Sequence, residues 1–183
     1  MATNLPAGLV PGTYVVDGSH STASFTVRHA GIAKVRGTIA ITSGAIIVGD
    51  NLESSSVSAE LDAASVNTGD ANRDAHLRSA DFWNAEEKPV RTFTSTGVKV
   101  AGDDYVITGD LTIKDVTKNI TIPFAFEGVA VDPFGNTRVG FEGSVVINRK
   151  DFGVSYNAAL ETGGVLVGDK IKISLDISGI KQA

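Results

Sequence analysis

The sequence predicts an all-β fold built as a single antiparallel barrel, with one short helix over residues 70–79. Three observations carry that expectation. Apolar and polar residues alternate through most of the chain, the period of a strand with one buried and one wet face. Clusters of Gly, Asn, Asp and Ser punctuate the alternation at short, regular spacing, as antiparallel hairpins require. One block, SVNTGDANRDAHLRSADFW from Ser65 to Trp83, breaks the rhythm and gathers charge, a histidine and two large aromatics. A sandwich with the same alternation is the alternative. The barrel is preferred because the inward sets mix large residues with glycines, which lets a sheet curl and leaves internal space. The 183 residues, 42% apolar and 20% charged, suit one globular domain.

Residues 1–12, rich in Pro and Gly, read as an extended leader, and residues 13–183 as the barrel. Thr13 to Asp17 and Ser21 to His29 are strands separated by Gly18-Ser19. The second alternates strictly, with Ala23, Phe25, Val27 and His29 on one face. Gly31 breaks it, and Val35 to Thr42 resumes through Ile39 and Ile41. Ser43-Gly44 reads as a turn before Ala45 to Val48, and Gly49-Asp50-Asn51 as another. Val57, Ala59 and Leu61 then mark a half-buried strand. Pro89 fixes a break ahead of Val90 to Val98, a Thr-rich strand around Phe93. Asp103-Asp104 turns into Tyr105, Ile107, Gly109, Leu111 and Ile113 on one face. Ile120, Ile122, Phe124 and Phe126 alternate next, and Pro123 among them points to an edge or irregular position, because proline donates no ladder hydrogen bond. Gly135-Asn136 leads into Val139, Phe141, Gly143, Val145 and Ile147. The last strand, Lys170 to Ile177, turns Ile171, Ile173, Leu175 and Ile177 inward.

Asp70 to Ser79 is the one convincing helix. Thr68 or Asp70 can cap it, Ala71 and Ala75 favour it, and Asp74 to Arg78 has the spacing of an i,i+4 ion pair. Arg73, His76 and Leu77 fall on one side. So short a helix is not stable alone. Leu77, Phe82 and Trp83 must therefore bury themselves against the sheet, over a barrel end or flank.

Bulk properties exclude several functions. The net charge is −5 without a basic cluster, so the counterion-displacing groove of a nucleic-acid binder is missing. No cysteine is present, which removes disulfides and thiol nucleophiles. No run approaches the roughly 20 apolar residues of a membrane span. The start, MATNLPAGLVPG, has neither a basic segment nor an apolar core of the export type. The expectation is a cytoplasmic protein, or a periplasmic or secreted one if the chain is a processed form.

Catalytic and metal readings are weak. His20, His29 and His76 with nearby acids would suffice for zinc. However, His20 and His29 differ by an odd number, so a continuous strand aims them at opposite faces, and no His-x-x-x-His spacing exists. Serines and the Asp74/His76 pair allow a lipid or ester hydrolase as an alternative, but no Gly-x-Ser-x-Gly elbow is present. Gly69, Gly163-Gly164 and Gly168 lack the strand-to-helix setting of a phosphate loop. Asp151-Phe152-Gly153 stands without the other motifs of a kinase and reads as a strand-ending turn. No catalytic residue, metal or cofactor is expected.

The stretches DGSHSTASFTVRHAG, VRGTI, SVNTGDANRDAHLRSADFW, TFTSTGV, GDLTIKDVTKNITIPF and NRKDFGV, in this order from about Thr13 to Ile177, resemble the YceI family of lipocalin-like proteins. Departures are modest: Tyr14 stands where the family often has Trp, Phe82-Trp83 where it has paired Phe, and Asp115 where it prefers Gly. The resemblance implies a lipocalin-like barrel of about eight strands whose interior holds a long amphiphile: a polyisoprenoid, an isoprenoid quinone or a fatty-chain amide. It also implies a homodimer. The barrel would then serve binding, transport or storage of such a lipid, without catalysis.

Such a ligand gains about 0.8 kcal/mol for each buried CH₂, so ten of them supply roughly 8 kcal/mol before ordering costs. An apolar tunnel is enough. Phe25, Val27, Ile107, Leu111, Phe124, Phe126, Phe141 and Val145 would line it, with Phe93 as a further candidate and Phe82 and Trp83 closing it. Periodicity alone equally describes a solid core, the basis of a structural or interaction role; the resemblance favours the tunnel. Arg73 and His76 either offer donors to a head group at the mouth or pin the helix in a structural network.

Overall fold

The computed structural model describes residues 2–161 and 164–183; of the glycines weighed above as a phosphate loop, Gly163 lies outside them. The strands are β1 (Gly12–Val16), β2 (Thr22–His29), β3 (Ala33–Ile39), β4 (Ile41–Val48), β5 (Ser56–Asp62), β6 (Val90–Ala101), β7 (Asp104–Ile113), β8 (Val116–Val131), β9 (Thr137–Asn148) and β10 (Val167–Lys181), with helix α1 (Ala71–Arg78) between β5 and β6. β1 pairs with both β4 and β10, so the circuit β1-β4-β5-β6-β7-β8-β9-β10 closes on itself. This is the antiparallel barrel the sequence predicts, with the eight strands that the family resemblance implies. Closure removes the unpaired edges that an open sheet of this length would expose.

The hairpin of β2 and β3 continues the sheet past the ring, with β2 following β1 along the same edge of β10. β8 is shared in the other sense. Its first half, through Phe124, pairs with β7, and pairing with β9 begins only at Phe124. Pro123 therefore falls where the β8–β9 ladder has not yet started, the irregular position its missing N–H demands.

One local expectation fails. Ser43-Gly44 is not a turn; β4 runs straight through it. A Cβ on Gly44 would lie 2.8 Å from Val16 Cγ2, so the glycine serves close approach of β1 to β4. The break falls instead at Ala40, whose N–H donates to Ser65 Oγ at 2.7 Å and whose carbonyl accepts from Asp62 N–H at 3.0 Å. A register shift between Ile41 and Ser43 takes up the bend.

One end of the barrel is packed solid. Leu9, Tyr14, Ile46, Val48 and Val139 form a buried cluster there, with Leu5, Phe126 and Phe141 against it. Tyr14 is fully buried and its hydroxyl donates to the Val10 carbonyl at 2.8 Å, which satisfies the one polar atom it carries inside. The leader is thus docked, not loose: burying Leu9 alone contributes about 2 kcal/mol.

Beside this plug, Arg138 clasps three segments. Its Nη1 donates to Asp17 at the β1–β2 junction and its Nε to Asp132 in the β8–β9 turn, both at 2.8 Å. The guanidinium holds both carboxyls well below the usual carboxylate range, Asp132 at about 2. Carboxyls depressed in the folded state bind fewer protons than in the unfolded chain, so their contribution is complete above about pH 4 and drains as pH falls through the folded values. Thermal unfolding followed from pH 5 to pH 2 should show that loss, and Arg138→Gln should flatten it. An unchanged pH slope in the variant would refute the clasp.

Candidate functional site

Away from the packed end, the inner faces of the strands leave space between them. They line a partly open cavity of about 190 Å³ to which every strand contributes, with Trp83 reaching in from the segment after α1. Inward residues such as Ile107, Val145, Ile171, Ile173 and Leu175 are only half-buried although they point into a closed barrel, because their faces look onto this hollow.

Cross-strand geometry keeps it open. A Cβ on Gly37, Gly109 or Gly143 would come within 2.5, 2.5 and 2.6 Å of the rings of Phe25, Phe93 and Phe124 respectively. Each ring lies over a bare glycine backbone on the neighbouring strand instead of standing up into the interior. The glycines read as helping the sheet curl also give the aromatics a place to lie flat against the wall.

Of the candidate residues, Phe25, Trp83, Phe93, Ile107, Leu111, Phe124, Phe141 and Val145 line the cavity together. Val27, Phe82, Phe126, Arg73 and His76 do not. Val27 lies further along the β2–β3 hairpin, paired with Val35 toward its tip. Phe126 belongs to the solid end, tilted against Phe141 with ring centroids 5.3 Å apart. Phe82 and Trp83, being successive, part company. Trp83 turns to the interior, while Phe82 packs against both His76 and Tyr156 at 5.0 and 5.1 Å, the latter two 4.9 Å apart.

Arg73 and His76 brace the helix region. Asp70 caps α1, accepting from the N–H groups of Asn72 and Arg73 at 3.0 Å each. Arg73 donates through Nε to Thr68 Oγ1 and through Nη2 to the Thr68 carbonyl. His76 pairs with Asp81 at 2.8 Å. Asp74 does not pair with Arg78: it is buried and accepts from both the N–H and the hydroxyl of Thr68. Two donors at a buried site outweigh an exposed i,i+4 pair worth about 0.4 kcal/mol. Among the described residues no group of three or more His, Asp or Glu is gathered as a metal site.

Two arginines stand among the wall residues that were not candidates from sequence, which also include Ser24, Ser58 and Val154. Arg149, just after β9, is 2% exposed. It donates to the carbonyls of Gly168, Val154 and Tyr156 at 2.9, 2.9 and 2.8 Å and to that of Val167 at 3.3 Å. Four of its five N–H groups are thereby engaged, with the Asp169 carboxylate 3.7 Å from Nη2, tying the segment after β9 to the start of β10. Arg91 on β6 is 8% exposed and has the opposite environment. Its guanidinium lies 4.0 Å over the Trp83 ring, and its Nε and Nη2 are buried without a hydrogen-bond partner. Burial pushes this group down to about 9, so it stays a cation at neutral pH. The signal for Arg91 was present: two positions before Phe93, it shares the inward face of β6.

Comparison with known proteins follows the same architecture. A family model described as "YceI-like domain" matches residues 14–179. A UPF0312 protein of Ectopseudomonas mendocina is 38% identical over 173 residues, 92% of this chain and 87% of that protein. The crystal structure of Burkholderia cenocepacia BcnA superposes with a TM-score of 0.75 at 23% identity, over 89% of this chain and 98% of that one. A polyisoprenoid binding domain from Saccharophagus degradans superposes with a TM-score of 0.68 at 12% identity, over 94% of this chain and all of that domain. At these identities the two structures share the fold.

Proposed function

Because the chain belongs to the YceI-like family, we propose that its barrel is a container for a long-chain amphiphilic lipid, which it binds and carries without chemical change. The single observation that carries this reading is the apolar hollow walled by Phe25, Phe93, Leu111, Phe124 and Ile173. A chain of methylenes or isoprene units entering it leaves water at about 0.8 kcal/mol per CH₂ and needs no polar machinery. That a fold relative is a polyisoprenoid binding domain supports the same ligand class. The side chains with polar atoms on the wall are Ser24, Ser58, Trp83, Arg91 and Arg149. None of them forms an acid–base pair of the kind a hydrolase needs. Asp74 and His76, the candidates for such chemistry, are committed to Thr68 and Asp81 and stand off the cavity.

Organic extraction of the purified protein followed by mass spectrometry should release a long-chain species in a stoichiometric amount. A clean extract, combined with no uptake of long-chain probes, would sink the proposal.

A further inference from the structure

Buried arginines in folded proteins are paired, since an ionised group taken out of water needs hydrogen-bonding partners to offset its desolvation. Arg149 obeys that rule with carbonyl partners on four residues. Arg91 breaks it in the same cavity wall. Among the described residues, Arg91 Nε and Nη2 are the buried side-chain nitrogens that lack a partner. Its neighbours across the strand pairings are apolar or neutral: Leu61 on β5 lies directly opposite, and Phe93 follows it on the inward face.

The unpaired atoms have a specific geometry. Nε–H and Nη2–H point in parallel from one edge of the planar guanidinium, the fork that receives the two oxygens of a carboxylate. Trp83 covers the face of the plane, and Phe25 sits edge-on to Trp83 at 5.3 Å, so the orientation of the fork is held by stacked aromatics. Arg91 lines the cavity, and its Nε and Nη2 have already lost their hydration in folding, so an anion that reaches this edge displaces little water from it.

We infer that Arg91 is the head-group anchor of the cavity and that the amphiphile it selects carries a single negative charge on a planar head, a long-chain carboxylate. This rests on the container reading above and sharpens it. One cation and two parallel donors match one charge and two oxygens. A phosphate monoester would bring more charge and a third oxygen, and the other cation of the wall, Arg149, has four of its five donors engaged. A neutral alcohol or quinone leaves the charge of Arg91 unmatched.

Isothermal titration with dodecanoate and with 1-dodecanol separates the anchor from the container. The wild-type protein should bind dodecanoate about tenfold or more tightly than dodecanol, the worth of one charge-assisted pair. Arg91→Met keeps an unbranched side chain without the charge. It should lose the preference for dodecanoate over dodecanol, whatever its absolute affinity for the alcohol. Arg91→Lys, a charge without the fork, should retain part of it. Equal binding of the two ligands by the wild type, or a preference surviving in Arg91→Met, overturns the anchor while leaving the container intact. Failure of both ligands to bind the wild type overturns both.

Discussion

Replacing Arg149 by methionine is expected to lower the stability of the fold by about 3–5 kcal/mol, the usual consequence of removing one side of a buried charged network. The carbonyls of Val154, Tyr156, Val167 and Gly168 all accept from this one guanidinium. Methionine matches much of its length but donates nothing, so the carbonyls of Val154, Tyr156 and Gly168 lose this donor, at about 1–3 kcal/mol for each one that water cannot reach, while that of Val167 keeps Asn157 Nδ2 at 2.8 Å. For a chain of this size the loss corresponds to a fall in Tm of roughly 10 °C. Denaturant unfolding of the variant checks it, and a change below about 1 kcal/mol, the level of an ordinary surface substitution, would show that the network is dispensable. The same substitution at Arg91 should be neutral or stabilising, because no protein acceptor is abandoned there and an unpaired charge is removed. Two arginines on one wall thus carry opposite signs. The difference is set by what surrounds the donors, not by depth of burial.

That contrast also marks what the sequence could disclose. A closed barrel forces strict alternation on its strands, so Phe25, Phe93, Leu111, Phe124 and Val145 were placed inward by parity alone. The helix was readable from Asp70 and the alanines, since capping is a local interaction. Its orientation was not: Asp74 turns away from Arg78 because a loop six residues upstream presents Thr68 to it, a tertiary contact without a sequence period. Arg91 shows the complementary gap. Parity with Phe93 puts it inside, but arginine is so rarely buried unpaired that composition reads it as part of the wet face. That the interior is hollow was suggested by the inward glycines and by the resemblance, but alternation alone did not decide it. It depends on rings lying over Gly37, Gly109 and Gly143, and alternation looks the same whether those rings lie flat or interdigitate.

Filling the hollow should therefore separate a container from a packed core, because the two predict opposite signs. Ala59 faces the cavity from β5, directly across the strand pair from Phe93. In a solid core Ala59→Trp forces neighbours off their rotamers and costs about 1–3 kcal/mol or more. In the barrel described here the indole enters existing space and buries apolar surface, so Tm should hold or rise. Binding should move the other way. An indole that occupies the length of five methylenes removes about 4 kcal/mol of ligand burial at 0.8 kcal/mol each, close to a thousandfold in affinity. Stability by thermal unfolding and uptake of dodecanol by calorimetry read the two effects on one sample. A variant that is destabilised yet binds as before would mean that Ala59 meets packed side chains and that the ligand lies elsewhere. A stable variant that no longer binds would place the long chain between β5 and the opposite wall formed by β9 and β10, within reach of Arg91.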